Sequence, residues 1–270
     1  PGPGCCDLGT AWSWESNTCV VANPSDSNFD GCVQLNDLLD LLSAYGDCGA
    51  EESPWQCGDP LEYQGYDYET VQIGEQCWFA ENARYLPEVS LVETGSETDG
   101  SPHAYVYGYS GNSLEEAMAT ESYENFGGLY NFEAAQEWAL CPTGWHVPSD
   151  EEFKTMESQV GLPQEVLDGT AWRGADLAAG NALRSEELWV FESGVATGEV
   201  GFDGLPSGYR INYSGDQYFE AAGQYGAWWT SSMSGEKGWQ RGIANYNLGI
   251  DRSLVFNQVG FAVRCIKDTE

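Results

Sequence analysis

Short apolar and aromatic runs, separated by Gly and Ser turns, mark the last third of the chain. Four of them lie at residues 208–210, 227–230, 238–241 and 260–265. Runs of this length between turn residues predict antiparallel strands with one buried face. The same pattern predicts a strand pair at residues 68–73 and 76–80, joined by a turn at Gly74 and Glu75.

Two other segments show the period of a helix. Residues 131–139 place four apolar side chains on one face, those of Phe132, Ala135, Trp138 and Ala139. Ser149 and Glu152 form an S-x-x-E capping box, which predicts a helix that begins there and turns Phe153 and Met156 toward the core. Short strands combined with two helices predict an α+β fold.

Changes in composition divide the chain into two parts. Residues 1–50 are dense in cysteine and predict a small disulfide-rich module that opens with a hairpin over residues 9–21. Residues 51–56 are polar, contain a proline, and predict a linker to a main domain at residues 57–270. Within that domain, residues 90–125 are weakly patterned and predict a long surface loop.

Acidic side chains outnumber basic ones by 43 to 10, for a formal charge of −33. This excludes nucleic acid as a partner, because phosphate binding needs clustered Lys and Arg, and it disfavours an anionic membrane surface. No apolar run reaches the ~20 residues of a membrane span, so we expect no membrane insertion and a secreted chain whose signal peptide has been removed. Residues 1–83 carry no Lys or Arg, an asymmetry that fits head-to-tail association of copies or a solvated acidic surface.

The sharpest chemical motif lies at residues 26–37. Its oxygen ligands follow the spacing of a calcium loop: Asp26, Asn28, Asp30, Cys32 through its backbone carbonyl, Gln34 and Asp37. Gly31 permits the sharp turn, and the Leu-rich residues 38–45 predict the exiting helix. The motif resembles one repeat of the dockerin-type, EF-hand-like loop, which implies a structural Ca²⁺. The alternative is an Asx-rich turn that caps the helix without metal.

Nine cysteines in a short acidic chain indicate an oxidising compartment, where disulfides persist. A zinc finger is disfavoured, because there is no C-x-x-C pair and the two histidines, His103 and His146, are far apart in the chain. The odd number leaves at least one thiol without a partner in the same chain.

Six motifs in order along residues 57–268 carry a resemblance to a known family. They lie at residues 68–82, 128–131, 141–152, 201–210, 228–232 and 263–265. Together they resemble the Fibrobacter succinogenes major paralogous domain, found in secreted and surface proteins of bacteria. The resemblance implies a C-type-lectin-like α+β fold with short antiparallel strands, related to formylglycine-generating-type domains.

The resemblance also implies a set of disulfides. The expected pairs are Cys141–Cys265, Cys57–Cys77, Cys32–Cys48 and Cys6–Cys19. Cys5 is left over, and it either bonds another subunit or stays capped or free. Formylglycine-generating enzymes use a late cysteine pair for copper and oxygen chemistry, but here both late cysteines are expected in the long-range bridge.

Evidence for catalysis in the sequence is weak. His146 lies near Asp150 and Glu152, but a packed histidine with backbone partners explains it better than acid–base work, since no nucleophile accompanies it. Five aromatic residues are candidates for stacking on sugars or for a subunit interface: Tyr209, Tyr218, Trp228, Trp229 and Trp239. Alternating strands would bury about half of such a set. Asn212 begins a glycosylation sequon.

These observations favour a secreted, non-catalytic structural or interaction protein. We expect a building block of a cell-surface or extracellular assembly, such as a filament or matrix, stabilised by calcium and disulfides. Its expected partners are other copies of itself or surface glycans. The alternative is a carbohydrate-binding adhesin, and a formylglycine-generating-type oxidase is a more distant one.

Overall fold

A computed structural model describes residues 10–13, 18–21, 55–95, 99–190, 197–213 and 216–269 of the chain. The chain divides into two compact units, Pro1–Trp55 and Gln56–Glu270. In the first unit, strands β1 (Thr10–Ser13) and β2 (Thr18–Val21) pair in antiparallel register. The predicted N-terminal hairpin is therefore confirmed.

The other predictions for the first unit lie outside the described residues. They concern the calcium loop at residues 26–37 and the side chains of Cys5, Cys6, Cys19, Cys32 and Cys48. These stay predictions.

The second unit is a mixed α and β structure. Its strands are β3 (Leu61–Tyr63), β4 (Tyr66–Tyr68), β5 (Thr70–Ile73), β6 (Gln76–Phe79), β7 (Ala104–Tyr105), β8 (Leu129–Tyr130), β9 (Trp145–His146), β10 (Ala171–Arg173), β11 (Ser207–Tyr213), β12 (Asp216–Ala222), β13 (Tyr225–Ser234), β14 (Lys237–Ala244), β15 (Asn247–Phe256) and β16 (Ile266–Lys267). Its helices are α1 (Leu114–Met118), α2 (Glu121–Phe126), α3 (Phe132–Glu137), α4 (Asp150–Gln159), α5 (Gln164–Leu167) and α6 (Ala179–Leu183).

The largest sheet contains six strands in the order β10-β15-β14-β13-β11-β12. Its pairs are antiparallel except for the parallel contact of β11 with β13. Three of the predicted C-terminal strands are confirmed as parts of β11, β13 and β14. The fourth, at residues 260–265, forms only isolated bridges because Gly260, Phe261 and Ala262 each pair with a different segment. The regular strand follows at Ile266–Lys267, in a second sheet of order β5-β6-β16-β9.

Apolar side chains cover both faces of the large sheet. Neighbouring residues on β13 point to opposite faces, so Trp228 and Trp229 enter different cores. Trp228 packs against Phe202 with ring centroids 5.2 Å apart. Trp229 packs against Phe132 at 5.3 Å and Phe261 at 4.8 Å. The sheet is thus the central layer of the main unit.

The capping box is confirmed at the start of α4. The Ser149 hydroxyl accepts from the Glu152 amide, and the Glu152 carboxylate accepts from the Ser149 amide. Phe153 and Met156 are both 1% exposed, as the pattern predicts. In contrast, α3 ends at Glu137, so two of the expected helical positions lie beyond it, the half-buried Trp138 and the exposed Ala139.

The prediction of a surface loop over residues 90–125 is wrong. This segment contains the fully buried strand β7 and two short helices, α1 and α2. Ser113 and Thr120 cap the two helices by accepting from backbone amides. Each helix is a turn or two long, so its apolar period is too short to read from sequence. The main unit accordingly has more helices than the two predicted.

Two of the expected disulfides are present in the main unit. Cys57 bonds Cys77 and Cys141 bonds Cys265, with Cα atoms 5.8 Å and 5.6 Å apart. The first bridge lies beside the β5–β6 pair, and the second joins positions 124 residues apart in the chain.

Candidate functional site

A cluster of buried charges lies between α4 and one face of the large sheet. The Glu157 carboxylate, 0% exposed, accepts from Arg173 at 2.7 Å and from Arg241 Nε at 2.5 Å. Asp150 pairs with Arg241 at 2.8 Å and with Arg252 at 2.7 Å. Burial raises the pKa of Asp150, but hydrogen bonds from Arg252 and the charge of Arg241 outweigh it and hold this pKa far below its usual range. Asp150 stays ionised, and both carboxylates are engaged in structural pairs.

The cluster belongs to a wider burial of positive charge. Seven of the ten Lys and Arg residues are buried: Lys154, Arg173, Arg184, Arg210, Arg241, Arg252 and Arg264. Arg210, for example, donates to the carbonyl oxygens of Val92, Thr94 and Gly95 and so fastens that loop to β11. The three basic side chains that are not buried are those of Arg84, Lys237 and Lys267, so few positive charges remain at the surface of the main unit.

His146 is held by carboxylates, and the expectation of backbone partners is wrong. Its Nδ1 lies 2.5 Å from Asp268 and its Nε2 lies 2.9 Å from Glu152. Burial lowers the pKa of His146, but the Asp268 hydrogen bond and the Glu152 charge outweigh it and raise the pKa above its usual value. The residue ties the C-terminal segment to the first turn of α4.

A second histidine completes a Ser-His-Asp chain that sequence reasoning missed. His103 Nδ1 lies 3.0 Å from Ser90 Oγ, and Nε2 lies 2.9 Å from Asp99. The His103 backbone N–H donates to Asn131 Oδ1, and the Asn131 side-chain NH₂ donates to the Ser101 carbonyl. Because His103 is 8% exposed and tied to the N-cap of α3, we assign these three side chains a structural role, in which His103 joins Ser90 and Asp99 to that N-cap.

The strongest candidate site is a cleft on the opposite face of the large sheet. It has a volume of about 300 Å³, at the small end of ligand pockets. Strands β10, β11, β13, β14 and β15 all contribute to it. Its lining consists of Trp172, Tyr209, Ile211, Ala221, Tyr225, Gln240, Tyr246, Asp251, Ser253, Val255, Val259 and Phe261.

Aromatic rings stand nearly perpendicular to one another around this aromatic cleft. Trp172 meets Tyr225 at 6.4 Å and 80°, and Tyr246 at 5.9 Å and 74°. Tyr209 meets Tyr225 at 5.8 Å and 90°. Edge-to-face contacts of this kind are favourable.

Asp251 is the centre of a polar group on the floor of the cleft. It accepts from Gln240 Nε2 at 2.6 Å, from Ser253 Oγ at 2.7 Å and from the Tyr225 hydroxyl at 3.2 Å. Sheet register explains the grouping, because Gln240 lies opposite Ser253, Gly242 opposite Asp251, and Asp251 opposite Trp172. Gly242 is required here, since a Cβ at this position would collide with the Tyr225 hydroxyl.

The aromatic candidates from the sequence separate into different environments. Tyr209 lines the cleft, and Tyr218 is 41% exposed on β12. Trp228 and Trp229 are 1% and 0% exposed, so their proposed contact with sugars or another subunit is wrong. Trp239 is half-buried under the Arg252 guanidinium at 3.8 Å. The Asn212 side chain lies outside the described residues.

Sequence reasoning missed most of the cleft. Trp172, Tyr225, Gln240, Tyr246 and Asp251 were not among the predicted site residues. The one available signal was the polar and aromatic alternation within the last strands, which places Gln240 and Asp251 on one face. Their convergence with Trp172 depends on β10 pairing with β15, which no local pattern shows.

Within the described parts of the chain, no helix could cross a membrane and no group of three or more His, Cys, Asp or Glu side chains could hold a metal ion.

Comparison with known proteins places the main unit in a family. No curated protein and no solved structure shows a significant match. The family model of the Fibrobacter succinogenes major domain matches residues 71–267, which include the cleft and, apart from Cys57, the cysteines of both described disulfides. The chain therefore belongs to the Fibrobacter succinogenes major domain family.

Proposed function

We propose that this protein is a secreted, non-catalytic interaction protein that serves as a building block of a cell-surface or extracellular assembly. Its main unit has a C-type-lectin-like fold, and calcium and disulfides stabilise the chain. The cleft supplies the binding surface.

One observation carries the non-catalytic part of the proposal: the polar groups of the cleft are locked to one another. The Tyr225, Ser253 and Gln240 donors all engage Asp251, and the Tyr209 hydroxyl donates to Glu220 at 3.0 Å. A serine nucleophile commonly needs a histidine or lysine base, and no His, Lys or Cys side chain among the described residues lines the cleft. Such a site is suited to binding.

Exposed apolar residues support the assembly part. Met233 is 54% exposed at the end of β13, and Phe256 is 49% exposed at the end of β15. Lys237 lies 4.1 Å over the Phe256 ring, at the same end of the sheet. Since the chain is strongly acidic, copies of it repel one another. An assembly must overcome this repulsion, through contact at this apolar end, through bound calcium or through a disulfide at Cys5.

Light scattering coupled to size-exclusion chromatography tests the assembly. We expect the mass to rise with protein concentration in calcium, and electron microscopy to show regular polymers. Met233→Ser with Phe256→Ser should reduce this, while Leu177→Ser, an equally exposed apolar change elsewhere, should not. A monomer at every concentration, with and without calcium and reductant, would contradict the proposal.

A carbohydrate-binding adhesin is the second candidate, and the aromatic lining of the cleft favours it. Aromatic walls with a few convergent polar groups are typical of small-ligand sites. Glycan-array binding that is lost on Tyr209→Ala and kept on Tyr218→Ala would support this function. An array without signal would contradict it.

A further inference from the structure

The hydrogen-bond donors described in the cleft are already engaged, whereas one hydrogen-bond acceptor has no partner. Tyr209 donates to Glu220, while Tyr225, Ser253 and Gln240 donate to Asp251. Gln240 is 1% exposed, and its Oε1 is buried without a hydrogen-bond partner among the described residues. A buried acceptor in this state is costly unless a donor reaches it. A ligand that satisfies the cleft must therefore bring N–H or O–H donors.

The electrostatic setting favours a positively charged donor. None of the lining residues is basic, and Arg252, next to Asp251 in the chain, points to the other face and pairs with Asp150. Burial and the Glu220 carboxylate raise the pKa of Tyr209, and burial and Asp251 raise the pKa of Tyr225 well above its usual value. Burial is the larger cause of both shifts, and the contributions of Glu220 and Asp251 reflect the negative charge beside each hydroxyl.

The rings provide a second attraction for a cation. Trp172, Tyr209, Tyr225 and Tyr246 all line the cleft and pack edge to face, with ring planes at 74° to 90°. The negative face of an aromatic ring attracts a cation within about 6 Å, and sites lined by several aromatic rings bind ammonium groups. A neutral saccharide would also bring O–H donors, but it carries no positive charge to complement Asp251.

We propose that the aromatic cleft binds an alkylammonium group that carries at least one N–H. The charge lies between the rings and Asp251, and the N–H donates to Gln240 Oε1. The proposal rests on the cleft being a non-catalytic binding site, as proposed above, and it names the ligand of that site. Two sources share the chemistry: a free aliphatic amine and a lysine side chain of a protein.

Isothermal titration calorimetry on the full chain tests the proposal with matched probes. n-Butylammonium should bind, and n-butanol, its neutral analogue, should not. Tetramethylammonium, which has no N–H, should bind about tenfold more weakly, because Gln240 Oε1 stays unsatisfied. Cadaverine and Nα-acetyl-lysine N-methylamide, which keeps its side-chain ammonium, distinguish the two sources. Tighter binding of cadaverine indicates a free amine, and tighter binding of the lysine derivative indicates a lysine side chain.

Two variants locate the site. Asp251→Asn keeps the shape and should weaken n-butylammonium at least about tenfold, while Glu236→Gln, on an exposed turn, should leave binding unchanged. Tyr246→Ala removes a ring that is 57% exposed and tolerates truncation, and it should weaken binding several-fold. Tyr218→Ala is its matched control outside the cleft. Melting curves establish that each variant is folded.

Failure of this proposal differs from failure of the proposed function. Equal binding of butanol, no effect of Asp251→Asn in a folded variant, or no binding of any amine would overturn the ammonium ligand and leave the non-catalytic function standing. A methyl glycoside that binds where amines do not would also overturn it, in favour of the adhesin. An amine that mass spectrometry finds chemically altered after incubation would overturn the non-catalytic function itself.

Discussion

Replacing Glu157 with Gln probes the buried charge cluster most directly. The change keeps the size of the side chain and removes one negative charge at a position that is 0% exposed. Both carboxylate oxygens bond arginines in the wild type: Arg173 at 2.7 and 2.8 Å and Arg241 at 2.5 Å. In the variant, the new NH₂ group faces guanidinium donors, and two buried cations lose their shared counter-charge.

The expected cost is large because the partners stay buried. Breaking one side of a buried ion pair destabilises a protein by about 3–5 kcal/mol. That is a substantial part of the about 5–15 kcal/mol that stabilises a typical domain. Glu151→Gln is the matched control on the same helix, since its side chain is 80% exposed and its pair with Lys154 is worth at most about 1 kcal/mol.

Urea unfolding followed by tryptophan fluorescence measures the difference. Eight of the eleven tryptophans lie in the main unit, and Trp78, Trp228 and Trp229 are buried there, so most of the signal reports that unit. We expect Glu157→Gln to lower the midpoint strongly with an unchanged slope, and Glu151→Gln to move it little. If Glu157→Gln cost no more than Glu151→Gln, the buried ion pairs would contribute little to the free energy of unfolding, and their structural role in the interior would be refuted.

Three further predictions concern pH, a disulfide and calcium. The pKa of His146 is raised in the folded state, so its ion pairs stabilise the fold fully below about pH 6.5, and this contribution is lost as the pH rises through the folded-state pKa. The difference in melting temperature between the wild type and Asp268→Asn should therefore shrink as the pH rises. A difference that stays constant would contradict the prediction. Replacing Cys141 and Cys265 by Ala opens a crosslink across 124 residues and should cost about 2–5 kcal/mol in urea unfolding, whereas a change below about 1 kcal/mol, the usual effect of a single substitution, would show that the bridge adds little. EGTA should lower the melting temperature of the N-terminal module if residues 26–37 bind Ca²⁺, and an unchanged melting curve would contradict the calcium loop.

Features that depend on neighbouring residues could be predicted from the sequence. The capping box at Ser149 and Glu152 specifies the start of α4 because its two hydrogen bonds join residues three apart. The turn between β5 and β6 and the N-terminal hairpin are equally local. The ordered motifs of the main unit sufficed to indicate its family, because their order and spacing can be compared along the chain without knowledge of the fold.

Features that depend on sheet order and burial could not be predicted. The cleft joins Trp172, Tyr209, Gln240 and Asp251, which meet only because β10 pairs with β15 and β11 pairs with β13. The sequence contains ten basic side chains, but only the packing of the chain decides that seven of them are buried. Burial of a charge is favourable only where opposite charges or carbonyl oxygens converge on it from distant segments, and that convergence is a property of the tertiary structure.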